Sequence, residues 1–590
     1  MVAERDPTIP FAPNPEGSPF NFLVRWILDL WVALARLFYT LKYGAISRRL
    51  GLAKQVGDPM RRGFVVVQID GLSHQDLLRA MDRGYAPYLK KLLATGGFRL
   101  ARYRCGLPST TPAAQAGIMF GDNFDVPAFR WYEKETQSVV VPRTPGLVQA
   151  LQERLSQGRP GILKGGSSYV NLMDGGADFS LFTLGGLNKG RLFAGVQGLG
   201  LLVLILLSPW RVLCILLLSF WEYLVQMVEG TLARFSRQPR VSNGVLFPFV
   251  RIVTNVLFRE LQTFAVIIDL YRGVPAIYTN YYGYDEIAHC YGPDSRPAYR
   301  ALRGIDRQIK QIDRMRRYSP RRRYDLYVLS DHGQTPTLPF RQLYGCTLGQ
   351  YIARHDGRDT QELVNGEEVS RRQAQYLISE LEALERQAAK PPAALARRAR
   401  RLLERRMLGE DQGEEIPKGW EIEVLHSGSL AHVYFNSSTR QLTWSEIERL
   451  YPGLVGALVR HKGVGLVVVR SEEGVYVLSS EGKALLDGRN GADEVLSRFE
   501  EPKVAEAQLR YLASFPHSGD LIVFGAYRDG RVVGFEEQVG SHGGLGGPQG
   551  YPFILYPSEY RIDTEGMINA KELYPHFIKT YQNGEQRRGT

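Results

Sequence analysis

Three short segments bring aspartate and histidine to points where a chain would bend. Tyr282-Gly-Tyr-Asp285-Glu-Ile-Ala-His289-Cys-Tyr-Gly-Pro293 sets Asp285 and His289 four positions apart, between glycines and ahead of a proline. Asp325-Leu-Tyr-Val-Leu-Ser-Asp331-His332-Gly333 ends an apolar run on an adjacent Asp331 and His332. Ser541-His542-Gly-Gly-Leu-Gly-Gly-Pro-Gln549 surrounds one imidazole with glycines. Carboxylate oxygen and imidazole nitrogen together are the donors that Zn²⁺ and related divalent cations take. Each segment also has an ordinary explanation: an Asp-x-x-x-His pair is more often a helix-surface ion pair, and a lone loop histidine usually binds nothing. Only company makes them interesting.

The elements that must position these residues can be read around them. Phe64-Val-Val-Val-Gln-Ile-Asp70-Gly71 is an apolar run ending in Asp70, the pattern of a parallel strand buried on both faces. Open α/β sheets place their ligand sites at the carboxyl ends of such strands, although an Asp there can equally cap the next helix. The stretch from 274 to 280 reads as a second strand running into a loop that carries Asp285 and His289. Asp331 and His332 can face one point only if their strand has turned into a loop, a bend that Gly333 permits. Residues 73–96 read as one helix, from Leu77, Leu78, Met81, Leu89, Leu92 and Leu93. In Ser109-Thr110-Thr111-Pro112 the hydroxyls precede a proline and a small-residue helical pattern. There a hydroxyl can cap the helix, the commoner outcome, or act as a nucleophile beside N–H groups that favour an anion.

Five motifs then stand in one order: Val-Gln-Ile-Asp70-Gly, Thr111-Pro with Gly121 ten residues on, Asp285-x-x-x-His289-x-x-Gly-Pro, Ser-Asp331-His332-Gly, and Ser-His542-Gly. In that order they resemble the alkaline phosphatase superfamily, closest to its type I phosphodiesterase/nucleotide pyrophosphatase branch. The resemblance implies an α/β fold with a mostly parallel central sheet flanked by helices. It also implies two divalent metal ions, zinc first and manganese as the alternative. Asp285, His289 and His542 would hold one ion; Asp70, Asp331, His332 and the Thr111 hydroxyl would hold the other. Thr111 would be the nucleophile of a phosphothreonine mechanism; the interval to Gly121 favours it over Thr110 and Ser109, which stay open. Many family members carry an Asn about twenty residues after the nucleophile, where it helps hold a phosphoryl oxygen. No Asn occupies that place here, and Arg130 is the substitute the sequence offers. No Cys/Ser-x-Pro-x-Arg motif marks a sulfatase. Transfer to an acceptor other than water competes with hydrolysis, and a non-catalytic metal-stabilised scaffold is the reading from another class.

The composition frames the rest. The chain has 590 residues, 44% of them hydrophobic, and 61 glycines, which suits a loop-rich α/β globule. A net charge of +12 suits anionic partners. Those expected are a phosphate ester, lipid-linked or nucleotide, and membrane lipid; nucleic acid is not expected. Cys105, Cys214, Cys290 and Cys346 form no Cys-x-x-Cys pair and suggest neither a disulfide framework nor a thiolate metal site. No secretory signal pattern is read at the start.

Two stretches point to a membrane. Residues 21–42 read as an amphipathic interfacial helix, followed by a basic run. Residues 192–228 form two nearly uncharged arms around Ser208-Pro-Trp-Arg211, read as a transmembrane or re-entrant hairpin. The Lys/Arg bias then places the globular part on the cytoplasmic side. The expected layout is a tail and interfacial helix (1–55), catalytic parts at 56–190, 231–358 and 419–590, the hairpin at 191–230, and a charged helical insert at 359–418.

Overall fold

Strand β1 (Gly63–Ile69) is buried at every position, as are β5 (Ala276–Tyr281) and β6 (Tyr324–Leu329). Apolar runs without alternation form strands covered on both faces, and these three form the parallel centre of a sheet. Phe64 pairs in register with Ala276 on one side and Asp325 on the other. In the computed structural model, which describes residues 61–142, 145–181, 183–186, 256, 258–319, 321–357, 360–363, 397–398, 400–401, 420–489 and 491–582, the sheet has seven strands. With β2 (Phe98–Arg102), β3 (Ser167–Tyr169), β4 (Phe179–Leu181) and β7 (Phe553–Pro557), the order is β2-β7-β6-β1-β5-β3-β4. The β3, β4 and β5 pairings are parallel, whereas β7 runs antiparallel between β2 and β6, so the sheet is mixed. The expected α/β architecture of helices on a mainly parallel sheet is present.

The single helix expected over 73–96 is two, α1 (His74–Asp82) and α2 (Pro87–Ala94), parted at Gly84 with φ +75°. Ser73 caps α1 by accepting from Asp76 N. α3 (Thr111–Phe120) is buried on every side, which its Ala and Gly content allows. A Cβ on Gly117 would stand 2.8 Å from Lys571 N, so the residue has no room for a side chain. α4 (Arg259–Arg272) and the long α6 (Arg296–Arg317) cover the sheet, α6 burying Leu302, Ile305, Ile309 and Ile312. Each such side chain contributes about 1.5–3 kcal/mol when fully buried.

A second seven-stranded sheet follows in the order Thr360–Leu363, Ile422–Ser427, Leu430–Phe435, Leu521–Gly525, Val464–Arg470, Val475–Ser479, Gly482–Leu485. It buries an apolar cluster on each face. Between the two sheets, Gly540–Ser541 pairs antiparallel with Thr335–Pro339 and carries the chain to His542.

The expected membrane location is corrected. Among the described residues no helix is long and apolar enough to cross a membrane. The segments on which the expectation rested, 21–42 and 192–228, lie outside the described residues, as does nearly all of the charged stretch at 367–415.

Candidate active site

Asp70 lies one residue beyond β1, and Asp331 two beyond β6, so both sit at the carboxyl edge of the sheet. Asp285 and His289 differ from expectation. They stand on a helix, α5 (Gly283–Tyr291), rather than in a loop. Glu286, Ile287 and Ala288 carry no helix breaker, and Gly292, with φ +92°, ends the helix ahead of Pro293. One helical turn therefore sets the pair on one face, with Asp285 Oδ2 3.2 Å from His289 Nε2.

The turn after β6 brings adjacent Asp331 and His332 to one point. Ser330 Oγ donates to His332 O at 2.6 Å and accepts from Leu72 N at 3.1 Å, which bends the chain. Gly333 is required by proximity: a Cβ there would strike Pro548 O and stand 2.7 Å from Ser73 Cβ. His332 Nε2 then lies 3.4 Å from Asp331 Oδ2, 3.7 Å from Asp70 Oδ1 and 3.2 Å from Thr111 Oγ1. The donor atoms of Asp70, Asp331 and His332 all fall within 4.8 Å of one another, and so do those of Asp285, His332 and His542. The two groups share His332, whose ring stacks on His542 with centroids 3.8 Å apart; His289 and His542 are 5.1 Å apart. Thus all seven residues picked out as ligands or nucleophile meet in one place. His332 takes a bridging position that the resemblance did not imply.

Of the three hydroxyls left open, Thr111 is the one hydrogen-bonded to this cluster, through His332 Nε2. It is the first residue of α3, behind Thr110 at the N-cap, whose side chain makes no capping bond. Ser109 Oγ accepts from Gly543 N at 2.9 Å and donates to Gly544 O at 3.1 Å. Arg130 is held elsewhere. Its guanidinium pairs with Glu536, its Nε donates to His426 O at 2.8 Å, and it is 1% exposed.

The imidazoles share one arrangement. His289 Nδ1 donates to Gly540 O at 2.7 Å, His542 Nδ1 to Ser109 O at 2.9 Å, and His332 Nδ1 to Gly333 O at 3.0 Å. A carbonyl only accepts, so each Nδ1 carries a proton, and the ring's other nitrogen is left for the cluster. Metal-binding histidines are held in this way. The carboxylates have partners as well, which the sequence reading missed. Asn280 Nδ2 donates to Asp70 Oδ2 at 2.6 Å, Gly71 N to Asp331 Oδ1 at 3.3 Å, and Gln334 Nε2 to Asp285 Oδ1 at 2.6 Å and Asp285 O at 3.0 Å. A polar Asn near the end of a buried apolar strand was the one local signal for Asn280.

Three carboxylates buried together need compensating positive charge. Asp331 Oδ2 is buried and receives no hydrogen bond. Burial pushes the Asp331 carboxyl up, with Asp285 adding to the shift and His332 opposing it. Burial works the same way on Asp285, but the charge and hydrogen bond of His289, then His542 and His332, hold it well below the usual carboxylate range. His542 is pushed well down, first by burial and then by His332, which favours the neutral ring that a metal ligand must be. The donor set thus fits divalent cations.

Residues 254–494 match the model of a family described as type I phosphodiesterase / nucleotide pyrophosphatase, which bears out the family expected from the motifs. No curated protein matches. Solved structures similar to the chain include phosphonoacetate hydrolase from Sinorhizobium meliloti 1021 in complex with phosphonoformate, at 17% identity over 88% of this chain and 96% of that one, TM-score 0.42. They also include murine ectonucleotide pyrophosphatase / phosphodiesterase 5 in complex with AMP, at 10% identity over 88% and 95%, TM-score 0.43. A third is wild-type alkaline phosphatase PafA, at 10% identity over 89% and 96%, TM-score 0.46.

Proposed function

We propose, from the premise that this chain is a phosphoester hydrolase of the type I phosphodiesterase / nucleotide pyrophosphatase family, that Thr111 attacks the phosphorus of a phosphate ester at a two-metal site. The observation that carries this reading is the set of three histidines, each with Nδ1 spent on a carbonyl, whose Nε2 atoms turn toward buried carboxylates beside Thr111 Oγ1. Asp285, His289 and His542 would hold one cation, and Asp70, Asp331, His332 and the Thr111 hydroxyl the other. Three imidazole donors favour zinc over magnesium or calcium. When bound, such ions supply charge that activates a hydroxyl and neutralises attacking and leaving oxygens.

The chain's own groups do the rest. Thr111 Oγ1 gives up its proton and forms a bond to phosphorus as the ester's leaving oxygen departs and is protonated; water then cleaves the intermediate, restores the hydroxyl and releases phosphate from a monoester or a phosphomonoester from a diester. Its place in the first turn of α3 sets backbone N–H groups and the positive end of the helix dipole beside the transferring phosphoryl group. Asn280 and Gln334 orient Asp70 and Asp285. The division into catalytic parts at 56–190, 231–358 and 419–590 belongs to the same reading.

The test is turnover of bis-p-nitrophenyl phosphate and of the monoester by full-length protein with Zn²⁺ or Mn²⁺. Thr111→Ala is expected to abolish turnover while metal content stays at about two ions per chain, as in a two-metal site. Wild-type activity in Thr111→Ala would refute the nucleophile, and metal content below one ion per chain would refute the two-metal site.

A further inference from the structure

Between Thr111 and Phe120 only Gln115 carries a long polar side chain, and it is fully buried. A buried amide is costly unless its donors and acceptor find partners. Here each is used. Gln115 Oε1 accepts from Leu172 N at 3.0 Å and Met173 N at 3.3 Å. Backbone N–H groups only donate, so the amide cannot be turned round and Nε2 must face acceptors. These are Gln68 Oε1 at 3.3 Å and Asn171 Oδ1 at 3.2 Å. Tyr278 Oη donates to the same Gln68 oxygen at 2.7 Å, and Asn171 Nδ2 donates to Ser168 Oγ at 2.8 Å and Tyr278 O at 3.3 Å. The network ties α3 to β1, to β5 and to the segment that follows β3.

Its place along these elements gives it a meaning. Asp70 N still bonds Tyr281 O at 3.2 Å, so Asp70 extends β1, and its side chain points to the same face as that of Gln68, two residues earlier. Thr111 and Gln115, four apart, share one face of α3. Two strand residues advance about 6.6 Å and four helical residues about 6 Å, so the two pairs keep step. One rung joins Gln115 to Gln68. The next brings Thr111 Oγ1 and Asp70 Oδ1 to His332 Nε2, at 3.2 and 3.7 Å. β5 repeats the step, with Tyr278 donating to Gln68 and Asn280 to Asp70. Thr110, at the N-cap, makes no capping bond with its side chain, which leaves the first turn of α3 to be held by what it packs against.

We propose that Gln115 is the positioning residue of the nucleophile: its amide sets the height of α3 on β1, and with it the place of Thr111 Oγ1 beside Asp70 and His332. Gln115 acts through Thr111. Displacing a reacting group by about 1 Å costs on the order of a hundredfold in rate, so a tie one helical turn away matters to turnover as well as to stability. The proposal rests on the reading above in which Thr111 attacks phosphorus.

The experiment compares full-length Gln115→Met, Gln68→Met and the double variant with wild type, on bis-p-nitrophenyl phosphate at saturating zinc. Gln115→Met keeps most of the volume and removes the bonds to Leu172, Met173, Gln68 and Asn171. Its kcat should fall about 10- to 100-fold, while KM stays within about threefold and metal content equals that of wild type. The double variant should be no slower than the slower single, because both singles lose one shared bond. Tyr434→Phe, which loses a bond to His517 O in the second sheet, should lower the urea midpoint and leave kcat unchanged. Losses that multiply in the double variant, a KM that rises while kcat holds, or a fall in metal content that accounts for the lost rate would overturn the proposal. So would a folded Gln115→Met with kcat within about twofold of wild type. If Gln115→Met does not fold, Tyr278→Phe decides, since it removes one donor from Gln68 Oε1. Its kcat should fall about two- to tenfold, the worth of one hydrogen bond, and an unchanged kcat overturns the proposal. An active Thr111→Ala would overturn the phosphothreonine reading and this one with it; an inactive Thr111→Ala beside an unaffected Gln115→Met overturns this one alone.

Discussion

Gln334 makes two hydrogen bonds to Asp285 from one amide nitrogen, at 2.6 Å to Oδ1 and 3.0 Å to the main-chain oxygen. Gln334→Met keeps most of the volume and removes both. A hydrogen bond to a charged group contributes about 1.5–3 kcal/mol. At about 1.4 kcal/mol per factor of ten, losing that orientation should weaken metal binding about 10- to 150-fold. That range agrees with the roughly 10–100-fold typical of residues that hold metal ligands. The assay is activity on bis-p-nitrophenyl phosphate against buffered free zinc, alongside direct titration of metal-free protein. The half-activation point should shift by that factor, while kcat at saturating zinc stays within about threefold because Thr111 is untouched. An unchanged half-activation point with a collapsed kcat would refute the idea that Gln334 acts through Asp285 and the metal.

Other parts of the molecule make separate demands. Gly333→Ala should lose metal-dependent activity and about 1–3 kcal/mol of stability by urea denaturation, since a Cβ there meets the Pro548 carbonyl and Ser73. Ile309→Ala, in a fully buried position of α6, should cost about 2–5 kcal/mol in the same measurement and leave KM for the small diester unchanged. EDTA should abolish turnover, and zinc should restore it more fully than magnesium. His517 Nδ1 bonds Asp125 Oδ2 at 2.6 Å. That bond raises His517; Asp125, which burial alone would raise, is held low by the same bond and the charge of His517. The stabilisation from His517 is complete below its unfolded pKa of about 6.5 and is lost as pH rises through the folded value. That from Asp125 is complete above about 3.9 and is lost as pH falls through its lowered value. The stability difference between wild type and His517→Gln should therefore be greatest between about pH 4 and 6.5 and shrink toward pH 9; a flat difference would contradict it.

Asp70 and Asp331 were legible because buried parallel strands write themselves as apolar runs, and an acid ending such a run stands out. Asp285 and His289 were legible as a pair but not as a helix: flanking glycines and a proline suggested a loop, although nothing between positions 283 and 291 breaks a helix. Arg130 was misjudged because its partner Glu536 lies 406 residues away, and no local pattern announces such a pairing. Gln334 and Ser109 escaped for a related reason. Their roles depend on which loop is laid against which, and only the assembled sheets decide that.

The antiparallel β7 occupies an inner place in the sheet, although it is the last strand in sequence among the described residues. Until it arrives, β2 has no neighbour among the described strands, and β6 has none on the side away from β1. His542, eleven residues ahead of β7, is tied back to Ser109 across 433 positions. Closure of the sheet and completion of the Asp/His cluster beside Thr111 are thus long-range events in folding, and both depend on the segment from His542 to β7. A nascent chain shorter than this carries Thr111 but neither His542 nor β7.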